Sequence, residues 1–146
     1  MILVTGQPLR QLRLAVAGQI QGHVRNVLQQ GHNAVAFCDV DPNQISRSRA
    51  RHKEEITTVK EYSDYRALLE KESSLDAVVI ATPDHWHAPM AIAALNAGKH
   101  VYVEKPMTHN IAETYALRDA ARNSDAVFMV GHQHRQTQSF LAAQDV

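Results

Sequence analysis

Apolar runs alternate along the chain with segments whose apolar residues recur at helical spacing. The runs cover 12–18 (LRLAVAG), 33–38 (NAVAFC), 75–81 (LDAVVIA), 100–103 (HVYV) and 126–131 (AVFMVG), with a shorter and weaker one at 57–60. Short runs bounded by Gly, Asp or Pro read as strands of a buried parallel sheet. Between them, Ile20, Val24, Val27 and Leu28 share one helical face, and Gly31 is placed to end that helix. Asp41-Pro42 opens a polar helix over 43–52. Ser63 is placed to cap a helix carrying Tyr65, Leu68 and Leu69. Met90, Ala91, Ala94 and Leu95 mark a fourth helix, started at Asp84 or His87, with Pro89 near its first turn and Gly98 after it. Asn110 with Glu113 forms a capping-box-like start for a fifth, through Arg122. The segment 137–146 begins another helix.

Strands and helices that alternate in this way predict an α/β protein with right-handed crossovers. Six strands in two halves predict a Rossmann-type, doubly wound, mostly parallel six-stranded sheet, the dinucleotide-binding architecture. Residues 1–11 read as an N-terminal extension and 12–136 as the dinucleotide-binding domain.

Composition narrows the classes. Fifteen basic residues balance fifteen acidic ones, which suggests neither nucleic acid nor an acidic membrane surface as a partner. Cys38 is the only cysteine, so the chain has no internal disulfide and no thiolate zinc cluster. No apolar run reaches the roughly 20 residues of a membrane span. The first twelve residues lack the basic and apolar regions of a signal peptide, and a cytoplasmic location is the expectation.

Chemistry concentrates where strands end. A dinucleotide turn wants G-x-G-x-x-G, so that main chain can approach a pyrophosphate at a helix start. Here the run is Gly18-Gln19-Ile20-Gln21-Gly22-His23, with Ile20 in the middle glycine slot. Asp39 follows the second strand 21 positions after Gly18, where an acid accepts hydrogen bonds from adenosine ribose hydroxyls. The same carboxylate repels a 2′-phosphate, so NAD is expected rather than NADP. Its other reading is a capping or loop aspartate. After the fourth strand, Thr82 offers a hydroxyl, and His85 and His87 offer imidazoles. Their other reading is a polar loop around one packed tryptophan. Glu104-Lys105-Pro106 closes the fifth strand. A lysine held there by a following proline can donate or accept a proton near a reacting carbon; the competing reading is a solvated ion pair. His85/His87 and His132/His134 are two H-x-H pairs, but alternate residues leaving a strand tend to point apart, and no metal site is expected.

The run ATPDHWHAPMAIAALNAGKHVYVEKP (81–106) resembles the Gfo/Idh/MocA oxidoreductases. Asp39 in FCDVDP and Gly131-His132-Gln133-His134-Arg135 support the likeness, which extends from about Leu12 to the C-terminus. The resemblance implies an NAD(P)-dependent enzyme transferring a hydride to or from a sugar, cyclitol or similar polyol. It implies that Asp39 holds the adenosine ribose and that Thr82 and His87 line the cofactor channel. Glu104, Lys105 and Gln133 would lie near the nicotinamide, with Lys105 in the substrate proton relay. It also implies a second, substrate-binding domain, whose first helix begins within 137–146. Without that domain the chain is expected to be inactive alone and to self-associate through apolar surface the domain would cover. The substituted turn, Gly18-Ile20-Gly22, favours an alternative: a non-enzymatic nucleotide-binding or interaction module, or a bare domain that docks to a partner.

Overall fold

The computed structural model describes residues 13–18, 20–56 and 58–132. In chain order the elements are β1 (Arg13–Gly18), α1 (Ile20–Gln29), β2 (Asn33–Cys38), α2 (Pro42–Arg51), β3 (Lys60–Tyr62) and α3 (Tyr65–Lys71). They continue with β4 (Ala77–Ala81), a 3-10 turn (Asp84–Trp86), α4 (His87–Asn96), β5 (His100–Glu104), α5 (Ile111–Arg122) and β6 (Phe128–Gly131). The strands form one parallel sheet in the order β3-β2-β1-β4-β5-β6. This is the doubly wound arrangement that the alternating patterns predict. β4 is buried at every position, as its unbroken apolar sequence requires of a strand covered on both faces. Among the described residues no helix is long and apolar enough to cross a membrane. The extension 1–11, the segment 137–146, Gln19, Gln133 and His134 lie outside the described residues.

The chain divides into two compact units, Met1–Val79 and Ile80–Val146. In the first, β1 pairs with β2 from Arg13↔Asn33 to Ala17↔Cys38, with a register shift between Leu14 and Ala15. Val16, Val24, Phe37, Ile45 and Leu68 are buried. Burying a side chain such as Phe37 is worth about 1.5–3 kcal/mol. Gly31 (φ +77) ends α1: its N–H reaches the Leu28 carbonyl at 2.9 Å, and the His32 N–H reaches the Val27 carbonyl at 3.0 Å.

Two local expectations in this unit shift. Asp64, not Ser63, caps α3, its carboxylate accepting the Arg66 N–H at 2.9 Å. β3 occupies Lys60–Tyr62; of the expected 57–60, Thr57 lies outside the described residues and only Lys60 is in the strand. The strand carries a polar tie that periodicity does not record. Lys60 Nζ (2.7 Å) and the Tyr62 hydroxyl (2.6 Å) both donate to Glu72 Oε1, which is buried just past α3.

In the second unit β5 pairs with β6 from Val101↔Phe128 to Glu104↔Gly131. Val101 and Val103 are buried, while His100, Tyr102 and Glu104 are half-buried on the opposite face of β5. α4 buries Ala88, Met90, Ala91, Ala94 and Leu95, and it packs against α5, whose Leu117 is buried. Gly98 ends α4, and the Lys99 N–H closes back on the Ala94 carbonyl at 2.9 Å, so the chain turns at once into β5. The start of α5 forms a variant of the capping box, in which Glu113 reaches the residue before the cap. Asn110 Oδ1 accepts the Glu113 N–H at 2.9 Å, and Glu113 Oε2 accepts the His109 N–H at 2.8 Å.

Candidate functional site

Gly18 ends β1 with φ +85, a conformation that glycine adopts without strain. α1 starts at Ile20, so Ile20 and Gly22 are the first and third residues of a helix that leaves the strand almost immediately. Unsatisfied main-chain N–H groups at such a start favour an anion, and no acidic residue in the first turn of α1 opposes one.

Asp39 follows β2 directly. Its N–H donates to the Tyr62 carbonyl at 3.0 Å, and its Oδ1 accepts the Asp41 N–H at 2.9 Å. The half-buried carboxylate is therefore oriented by its own loop. Val40 beside it is 86% exposed. The sequence gives no sign of Val40 as a ligand surface, because a lone valine between two aspartates has no periodic pattern. Cys38 is buried. Burial first, then the negative charges of Asp64 and Asp39, push its thiol up to about 12, so it is no nucleophile at neutral pH.

In the second unit, Thr82 follows β4, and its Oγ1 is buried without a hydrogen-bond partner. A buried hydroxyl left unpaired is costly, and such groups call for a specific explanation. His87, the first residue of α4, is only 2% exposed. Its Nδ1 lies 2.6 Å from the Pro106 carbonyl oxygen and its Nε2 lies 2.8 Å from the Thr82 carbonyl oxygen. Both oxygens are acceptors, so the ring donates to both when each nitrogen carries an N–H, and to one of them when it is neutral. The ring thus braces the turn after β4 against the segment after β5. Replacing it by glutamine, which keeps an amide donor but cannot reach both carbonyls, should cost about 1 kcal/mol. A drop in the thermal midpoint of His87→Gln measures this.

Lys105, exposed, and Pro106, joined to it by a cis peptide bond, begin the braced segment. Asp84 and His109 approach each other, with 3.4 Å between Oδ2 and Nδ1. Burial works to raise the Asp84 carboxyl. The His109 hydrogen bond, the His85 main-chain N–H and the two imidazole charges outweigh it and hold the carboxyl below its usual value.

Glu104 ends β5. Its Oε1 lies 3.4 Å from the Tyr102 hydroxyl, and Gly131 is its partner in the ladder. From the sequence Tyr102 is a strand residue and Gly131 opens the quoted Gly131–Arg135 match, and neither is given a role at the site. Period-two spacing could have flagged Tyr102 as sharing a face with Glu104; the role of Gly131 needs coordinates. His85 and His132 are exposed. Among the described residues no group of three or more His, Cys, Asp or Glu converges on a metal-sized site. The structure therefore brings Thr82, His87 and the Lys105 segment together by hydrogen bonds, and sets Asp39 and the start of α1 separately at strand ends of the first unit.

Residues 12–132 match the family described as an oxidoreductase family with an NAD-binding Rossmann fold, Gfo/Idh/MocA. Levoglucosan dehydrogenase of Pseudarthrobacter phenanthrenivorans is 39% identical over 107 residues, which is 73% of this chain and 26% of that protein. A glycosyl hydrolase family 109 protein of Shewanella pealeana is 32% identical over 118 residues, covering 76% of this chain and 25% of that protein. The WlbA dehydrogenase of Bordetella pertussis, solved with NADH and UDP-GlcNAcA, superposes with a TM-score of 0.82 at 25% identity, over 93% of this chain and 41% of that one. The chain spans about a quarter of the length of the curated relatives it matches.

Proposed function

The chain belongs to the Gfo/Idh/MocA oxidoreductase family, and from that premise we propose that it is the NAD-binding part of an enzyme that moves a hydride to or from a sugar, cyclitol or similar polyol. The observation that carries this reading is the buried, unpartnered hydroxyl of Thr82, on a residue whose main-chain carbonyl His87 ties to the Pro106 carbonyl, next to Lys105.

Each unit offers groups that suit part of a dinucleotide. Asp39 accepts hydrogen bonds from the adenosine ribose, and its charge disfavours the 2′-phosphate of NADP. Val40 offers an exposed apolar surface next to it. The start of α1, at Gly18, Ile20 and Gly22, takes the pyrophosphate on main-chain N–H groups. Thr82 supplies a hydroxyl toward the cofactor. By the family resemblance Glu104 serves the nicotinamide end, a role the resemblance also gives to Gln133, and Lys105 exchanges a proton with the substrate hydroxyl. NAD, when bound, supplies the hydride acceptor or donor. His87, with both ring nitrogens on main-chain carbonyls, serves by holding the floor of the site. One similar protein is named for levoglucosan and another was solved in complex with UDP-GlcNAcA, which supports the substrate class.

The test is a titration of the purified chain with NADH, following nicotinamide fluorescence. Saturable enhancement is expected, with weaker binding of NADPH. No change at millimolar NADH would favour the module that kept the fold and lost the phosphate turn through Ile20.

A further inference from the structure

We propose that Tyr102 is a positioning residue for Glu104, and that Gly131 is the opening its hydroxyl requires. This rests on the reading that Glu104 stands at the nicotinamide end of the site.

Alternation along β5 puts Tyr102 and Glu104 on one face, two residues apart. The β5–β6 register sets Gly131 directly beside Glu104. A Cβ on Gly131 would overlap the Tyr102 hydroxyl, stand 2.8 Å from the ring carbon Cζ and lie 3.2 Å from Glu104 Oε1. The phenol tip therefore fills the space that an alanine methyl would take, and that space borders the carboxylate. The hydroxyl lies 3.4 Å from Glu104 Oε1, long for an O–H···O bond, yet the acceptor is a carboxylate and the donor is half-buried. A tyrosine confined in this way limits the rotamers open to Glu104 and presents an O–H to it. Burial first, then the Glu104 charge and the hydrogen bond to it, raise the Tyr102 phenol above its ordinary value. The phenol thus stays protonated, and stays a donor, throughout the neutral range.

The test has two readouts on the intact 146-residue chain. The first needs no cofactor. Phenolate absorbance is titrated in the unaltered chain, in Tyr102→Phe and in Glu104→Gln. Subtracting Tyr102→Phe isolates the Tyr102 component. It should titrate later than an ordinary phenol and move down when Glu104 loses its charge. In Gly131→Ala, where the ring is pushed aside, it should move the same way.

The second readout is NADH affinity. Tyr102→Phe and Glu104→Gln should each weaken binding about tenfold, one hydrogen bond's worth. The double variant should be no weaker than Glu104→Gln alone, because Tyr102 acts through Glu104. A Tyr102 titration that ignores Glu104→Gln would overturn the proposal, as would additive losses in the double variant. If no form of the chain binds NADH, the cofactor reading fails, and the phenol titration alone decides the role of Tyr102.

Discussion

Asp39→Ala is expected to weaken NAD binding about a hundredfold and to close most of the gap between NAD and NADP. The size follows from two charge-assisted hydrogen bonds, one from each ribose hydroxyl, at about 1.5–3 kcal/mol each before the loop relaxes. The carboxylate is in place before any ligand arrives, since Asp41 donates its main-chain N–H to Oδ1 at 2.9 Å. That same bond makes alanine an impure substitution, because it also releases the loop. Asp39→Asn separates the effects: the amide oxygen keeps the Asp41 contact while the charge is lost. Asn should therefore relax the discrimination against NADP while losing less NAD affinity than Ala. Fluorescence titrations of the three proteins with both reduced cofactors measure this. Equal affinity of the unaltered chain for NADH and NADPH would sink the assignment.

A polypeptide of these 146 residues is expected to form no measurable NADH from inositol, glucose or related polyols. Holding reactants in a near-attack geometry is worth effective molarities of about 10⁵–10⁸ M, and a placed general base about 10²–10⁴-fold. Among the described residues Lys105 is exposed. The curated relatives are about four times as long as the stretch this chain matches in them. The resemblance places the remaining catalytic groups and most substrate contacts in such additional sequence. The assay is NADH absorbance with the purified chain and a panel of polyols. Robust turnover that disappears in Lys105→Ala would refute the expectation, and would mean that copies of the chain complete the site for one another.

The order of the elements was legible because it rests on local rules. β4 declared itself by five apolar residues in a row, and α1 and α4 by glycines that the structure places in the left-handed region just past each helix. Asn110 and Glu113 announced the start of α5 by their spacing alone. β3 lies about two residues beyond where periodicity puts it, and its ties to Glu72, twelve residues beyond Lys60, are bonds that no periodicity encodes. The sequence offers Ser63 as the cap and the structure uses Asp64 beside it; neighbouring residues that both make good N-caps are not separable by sequence. At the site, residue types at strand ends could be read, but not their partners. His87 was singled out as a ligand-facing ring, and its commitment to two carbonyls became visible only when the chain folded. Tyr102 looked like any strand aromatic until Gly131 was seen beside it.

Cys38 gives the first unit a built-in clock. It is the only cysteine in the chain, it is buried, and its thiolate is strongly disfavoured while the structure is closed. A thiol reagent can then react at an appreciable rate only during moments when the end of β2 opens. In the regime of fast reclosing, the labelling rate relative to a free thiol reads the equilibrium for that opening. The next residue is Asp39, so any small molecule that grips that loop must be released before the clock can tick. Slowed alkylation would thus register a bound ligand that is itself spectroscopically silent.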